Sequence, residues 1–182
     1  MKKFLISAVA VLMIAVSFAS CYDPYAGIKD KSKKPTPASQ STTAAAEEKK
    51  TKKISDKKYD DTFAGLRDFM KDSGYIKIED NNVTKMQADL IGAEKGYKYT
   101  DGDTRVELYA FKLKSENKTR DKVIKSVKEK GTFTLYSEEI PAYLSDNGKY
   151  LMVYSNPASN DKNSDAYKFK QKAVKAFKGF KA

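Results

Sequence analysis

Histidine and tryptophan are missing from the 182 residues, and cysteine occurs once, at Cys21. A lone cysteine closes no disulfide within the chain. Without histidine, zinc and iron sites lose their commonest ligand, and Ser-His-Asp and Cys-His catalysis is excluded. No metal or cofactor is expected. Long apolar runs are scarce: beyond residue 18 none exceeds a few residues, too short to cross a bilayer. Arginine is rare too. Only Arg67, Arg105 and Arg120 stand among 35 basic residues, and Arg is the side chain suited to bidentate phosphate and base contacts. With no recognition motif and no Gly-rich phosphate loop, nucleic acid is not an expected partner, despite an isoelectric point near 9.4.

What is present begins at the N-terminus. Lys2 and Lys3 precede Phe4 to Phe18, a stretch of 15 residues interrupted only by Ser7 and Ser17. A spanning helix needs about 20 apolar residues, so the stretch suits a secretory signal better than a permanent anchor. Small residues Ala19 and Ser20 follow, and then Cys21. Phe18-Ala19-Ser20-Cys21 resembles the lipobox of bacterial lipoproteins, although Phe18 stands where that family usually has Leu. The resemblance implies a signal peptide over residues 1–20, diacylglycerol modification of the Cys21 thiol, cleavage just before it and acylation of the new N-terminus. The protein would then sit at the cell membrane, lipid-anchored and facing out of the cytoplasm. Two or more acyl chains hold a protein firmly, at about 0.8 kcal/mol per buried CH₂.

Residues 21–53 shift in composition. Lys, Ser, Thr, Ala and three prolines dominate, large apolar side chains are nearly absent, and eight Lys stand against four acidic residues. Such a segment cannot bury enough surface to offset its ordering entropy. It reads as a disordered tether with an r.m.s. span of roughly 30–35 Å. Its Lys excess leaves two readings open, a solvated spacer or a contact to anionic lipid or wall polymer.

Residues 54–182 read as one domain. Tyr59, Phe63, Leu66 and Met70 form one helical stripe, with Ser55 or Asp56 as cap and Gly74 as stop. Tyr75–Ile78 alternates like a short strand, and Val83 to Ile91 is ambiguous, with Val83, Met86, Leu90 and Ile91 fitting a short helix. Asp101-Gly102 and Asn147-Gly148 signal two hairpins with type I′ turns. A helix from Glu116 to Lys130, a strand Thr132–Tyr136 and a last helix from about Ser164 to Phe180 complete the order. The expected fold is therefore α+β: an antiparallel sheet of about five strands with about three packed helices, the last C-terminal.

The second hairpin places Leu144 opposite Leu151 and Tyr143 opposite Met152. Ile140, Ala142, Leu144, Leu151 and Val153 then share one face, a natural core. Tyr143, Tyr150, Met152 and Tyr154 share the other. That face is a candidate binding ledge if open, and core if a helix covers it. The C-terminal helix carries Ala166, Phe169, Ala173, Ala176, Phe177 and Phe180 on one side and Lys elsewhere. From Asp161 onward seven Lys face two Asp, whereas residues 54–160 balance 18 basic with 18 acidic side chains. A basic amphipathic helix can lie on an anionic membrane or polymer, or it can pack its apolar face on the sheet and leave its Lys face solvated.

Ile91-Gly92-Ala93 with Tyr97, Val106-Glu107-Leu108-Tyr109 and the Asn147-Gly148 hairpin make residues 85–180 similar to small, uncharacterised lipoproteins of Gram-positive bacteria. The similarity implies no activity. The expected function is a lipid-anchored extracytoplasmic binding or interaction domain, not an enzyme. The alternative is a cell-envelope hydrolase acting through carboxylates, with Glu138-Glu139 and Asp101-Gly102-Asp103 as the visible clusters.

Overall fold

A computed structural model describes residues 53–182. The expected signal peptide, Cys21 and nearly all of the tether lie outside the described residues. The elements run α1 (Phe63–Asp72), β1 (Val83–Lys85), β2 (Lys95–Asp101), β3 (Thr104–Ala110), α2 (Lys118–Lys130), β4 (Thr132–Leu135), β5 (Glu138–Pro141), β6 (Tyr143–Leu144), β7 (Tyr150–Ser155) and α3 (Asp165–Lys178). Five strands form one antiparallel sheet in the order β1-β2-β3-β7-β6, and β4 and β5 pair separately. The α+β architecture and the C-terminal helix are as expected.

Each sheet face is covered. Tyr99, Val106, Leu108, Tyr150, Met152 and Tyr154 meet Leu66, Phe69 and Met70 of α1 and Ala173, Val174, Phe177 and Phe180 at and just beyond α3. Tyr109, Leu151 and, partly buried, Leu144 and Val153 meet Val123 and Val127 of α2, Phe133 of β4 and Ala142. The period-2 alternation of the strands feeds one core on each side.

Several local expectations change. Tyr59 stands outside α1, because Thr62 caps the helix by accepting from the Gly65 N–H at 3.1 Å. Ser55 instead caps a short 3-10 turn, Asp56–Lys58. Tyr59 still packs edge-on against Phe69, with ring centroids 5.6 Å apart. Tyr75–Ile78 forms no strand. Gly74 turns the chain at φ +81°, and the Tyr75 and Ile76 amides donate to the Met70 carbonyl, so they serve the helix end instead of a ladder. Val83–Ile91 is not one helix. Val83 pairs with Tyr99 in the sheet, and only Ala88–Ile91 makes a 3-10 turn, closed by Gly92 at φ +70°.

The hairpin turns also differ. Asp101 pairs with Thr104, leaving Gly102 and Asp103 as the central residues. Gly102 alone has positive φ, +58°, as a II′ turn requires. In the second hairpin the expected pairs Leu144–Leu151 and Tyr143–Met152 form. The turn is not I′, because only Gly148 has positive φ there. Instead the Asn147 side chain accepts from the Lys149 amide and donates to the carbonyls of Phe180 and Lys181, fastening the turn to the C-terminus.

A third hairpin carries no Gly or Asn signal. Tyr136 and Ser137, at φ +49° and +70°, join β4 to β5. A left-handed backbone costs an L-residue about 1–2 kcal/mol, and Tyr136 is 76 % exposed at the tip. This pairing draws Glu138–Pro141 away from the main sheet, so Ile140 parts from Leu144, with which it was expected to share the second hairpin's strand.

Candidate functional site

The aromatic ledge is core. Tyr150 is 3 % exposed, Met152 0 % and Tyr154 6 %, all beneath α1 and α3, and Tyr143 is half-buried. The hairpin register put these side chains on one face correctly, but α1 and α3 close over it. Tyr150 is also engaged: its hydroxyl donates to Asp61 at 3.1 Å, and Lys149 pairs with the same carboxylate. Burial, then the Asp61 charge, pushes the Tyr150 phenol well above its ordinary range.

The carboxylates singled out from the sequence lie at the surface. Glu138 and Glu139 are exposed on β5, and Asp103 is exposed in its turn. Asp101 lies 3.7 Å from Lys77. Asp89 and Glu94 both line a shallow cleft of about 340 Å³, beside Lys85 and Lys95, and both are exposed. A general acid is normally made by burying one of two carboxyls. Among the described residues no group of three His, Cys, Asp or Glu side chains could hold a metal ion.

The C-terminal helix packs its apolar side inward. Ala173, Val174 and Phe177 are buried, while Lys168, Lys172, Lys175 and Lys178 are exposed.

A different site emerges where α3 meets the end of α1. A cleft of about 470 Å³ opens between them, with the leading segment Lys53–Asp56 as its third wall. Phe69, Ser73 and Tyr75 come from α1 and the turn after it. Lys172, Lys175 and Ala176 come from α3 and Gly179 caps its end, spaced i, i+3, i+4 and i+7, so they form one stripe. Lys53 and Ile54 complete the lining. The size suits a small organic molecule. An aromatic cluster backs the site: Phe69 lies 5.3 Å from Phe180, and Tyr75 meets Phe169 edge-on at 5.7 Å.

Two polar features stand out. The Ser73 hydroxyl is buried, with the residue 1 % exposed, and has no hydrogen-bond partner among the described residues. A buried hydroxyl without a partner carries a real desolvation cost. Three ammonium groups, Lys53, Lys172 and Lys175, surround the opening. The one carboxylate, Asp56, already accepts the Lys181 amide at 3.0 Å. Sequence reasoning missed the cleft because its walls come from three separate segments, 53–56, 69–75 and 172–179, the last nearly a hundred residues beyond the other two. Its only local sign was the i, i+3, i+4 spacing of Lys172, Lys175 and Ala176.

No protein family, no curated protein and no solved structure matches the chain.

Proposed function

We propose that this protein is a lipid-anchored, extracytoplasmic binding domain that performs no chemistry on its ligand. The observation that carries the reading is the N-terminal order of two lysines, a 15-residue apolar stretch and Ala19-Ser20 before the only cysteine, Cys21. On this reading Cys21 holds the acyl chains, residues 22–53 span the gap to the domain, and the cleft between α1 and α3 receives the ligand. The cleft lining supports binding: three lysines, one engaged carboxylate and a serine hydroxyl with no hydrogen-bond partner among the described residues. The lysines of the tether and of α3 add attraction toward anionic lipid or wall polymer. Among the described residues no helix is long and apolar enough to cross a membrane.

The topological part is tested by shaving. Trypsin added to cells stripped of outer layers should cut among Lys29–Lys53 and release a soluble fragment starting near Ile54. Release should leave the cytoplasm sealed and cytoplasmic markers intact. A chain that resists trypsin until the cells are lysed would contradict an outward-facing domain.

A further inference from the structure

We infer that the cleft between α1 and α3 binds a small anionic amphiphile, with one apolar body and a single carboxylate or phosphate head. The inference deepens the binding reading above and rests on it for the site, but not for the anchor. Three observations converge. The floor is apolar, built from Ile54, Phe69, Tyr75 and Ala176. The opening carries Lys53, Lys172 and Lys175, and neither Lys172 nor Lys175 joins an ion pair among the described residues. Buried at the wall is Ser73, whose hydroxyl lacks a partner among the described residues and can donate to an oxygen anion.

Each observation removes a class of ligand. An apolar floor of Phe69 and Tyr75 gives a purely polar sugar or a free inorganic anion little to bury. Three ammonium groups against the one carboxylate of Asp56 repel a cationic amphiphile and leave a neutral one without a partner for the rim. The chain's own tether is a poor occupant for the same reason, because residues 22–53 carry eight Lys against four acidic side chains. What remains is a molecule that buries an apolar body against Phe69 and Ala176 and leaves an anionic head among the lysines. Such heads occur on free fatty acids and on single-tailed lipid phosphates, and both share the recognised chemistry.

The experiment uses a chain beginning at Tyr22. Both cores are built from residues between Tyr59 and Phe180, so this chain keeps every described buried contact. Decanoate, decyl phosphate, decanol and decyltrimethylammonium are titrated below their micelle concentrations, and binding is read by calorimetry. Decanoate and decyl phosphate should saturate at one per chain, and salt should weaken both. Whichever head binds more tightly identifies the source, acyl carboxylate or lipid phosphate. Decanol should bind at least about tenfold more weakly, because the rim then lacks its charge partner. Lys172→Glu with Lys175→Glu should lower decanoate affinity by about tenfold or more and leave the thermal midpoint nearly unchanged, since both side chains are exposed. Ala176→Phe should fill the floor and abolish binding. The Lys pair keeps the test decisive if that variant folds poorly. Equal binding of all four heads, unsaturable uptake, full affinity in the Lys variant or no binding of either anion would overturn the inference. Because the assay omits Cys21, its failure leaves the anchor untouched, and loss of the anchor leaves the assay untouched.

Discussion

Between pH 8 and pH 11 the domain should lose roughly 4 kcal/mol of stability, from three buried tyrosines alone. Tyr99, Tyr109 and Tyr150 are 2 %, 6 % and 3 % exposed. Burial pushes the Tyr99 phenol up to about 12. Burial raises Tyr109 further, and Glu107, which accepts its hydroxyl at 2.8 Å, adds to the shift. Tyr150 rises through burial and the neighbouring Asp61. Below about pH 10 both folded and unfolded chains hold these protons, so pH has no effect through them. Above it the unfolded chain releases protons that the folded chain keeps, and unfolding gains up to about 1.4 kcal/mol per pH unit for each tyrosine. Urea midpoints at pH 8, 10 and 11 would show the fall. Tyr99→Phe gives an internal control. Its hydroxyl has no partner among the described residues, so the substitution should cost little at pH 8 and remove about a third of the alkaline loss. A midpoint that stays flat to pH 11 would mean that these phenols ionise freely in the folded state.

Phe177→Ala should destabilise the domain by about 3–5 kcal/mol. The ring is 0 % exposed and lies among the side chains that join α3 to α1 and the sheet. Truncation removes its transfer energy and leaves a cavity between rigid neighbours, because helix and sheet cannot collapse independently. Against a total of about 5–15 kcal/mol for a natural domain, that loss leaves the fold marginal. The same helix offers its own comparison. Lys168 makes only an exposed pair with Asp165 at 3.0 Å, so Lys168→Ala should stay within about 0.5 kcal/mol. Equal effects from the two substitutions, read by chemical denaturation, would show that α3 is not seated on its apolar face.

Much of this architecture is legible locally. Gly131 marks the end of α2 and Ser164 the start of α3, while Asn117 caps α2 so that it begins at Lys118, two residues after the expected Glu116. The register of β6 against β7 follows from the spacing around Asn147-Gly148. Coverage of that register is not local information. The alternation of Tyr150, Met152 and Tyr154 is the same whether their face meets water or a helix. Only the packing of α1 and α3, with Phe69, Met70 and Phe177, decides that it is core. The β4–β5 hairpin escaped for another reason. Tyr136 and Ser137 adopt left-handed backbone without the Gly or Asn that would announce it, so the pairing of Phe133 with Ile140 prevails over turn preference. The cleft depends on segments 53–56, 69–75 and 172–179 meeting in space, and Ser73 looks like an ordinary polar residue until it is found buried.

The central claim is the anchor at Cys21, and metabolic labelling with a clickable fatty acid tests it most directly. Wild-type protein, recovered from membranes, should carry the label on its N-terminal peptide beginning at Cys21. Cys21→Ser should carry none and should leave the lipid-anchored pool, while its folded domain stays intact by proteolysis. Label that persists in Cys21→Ser, or a wild-type protein without label, would contradict the account.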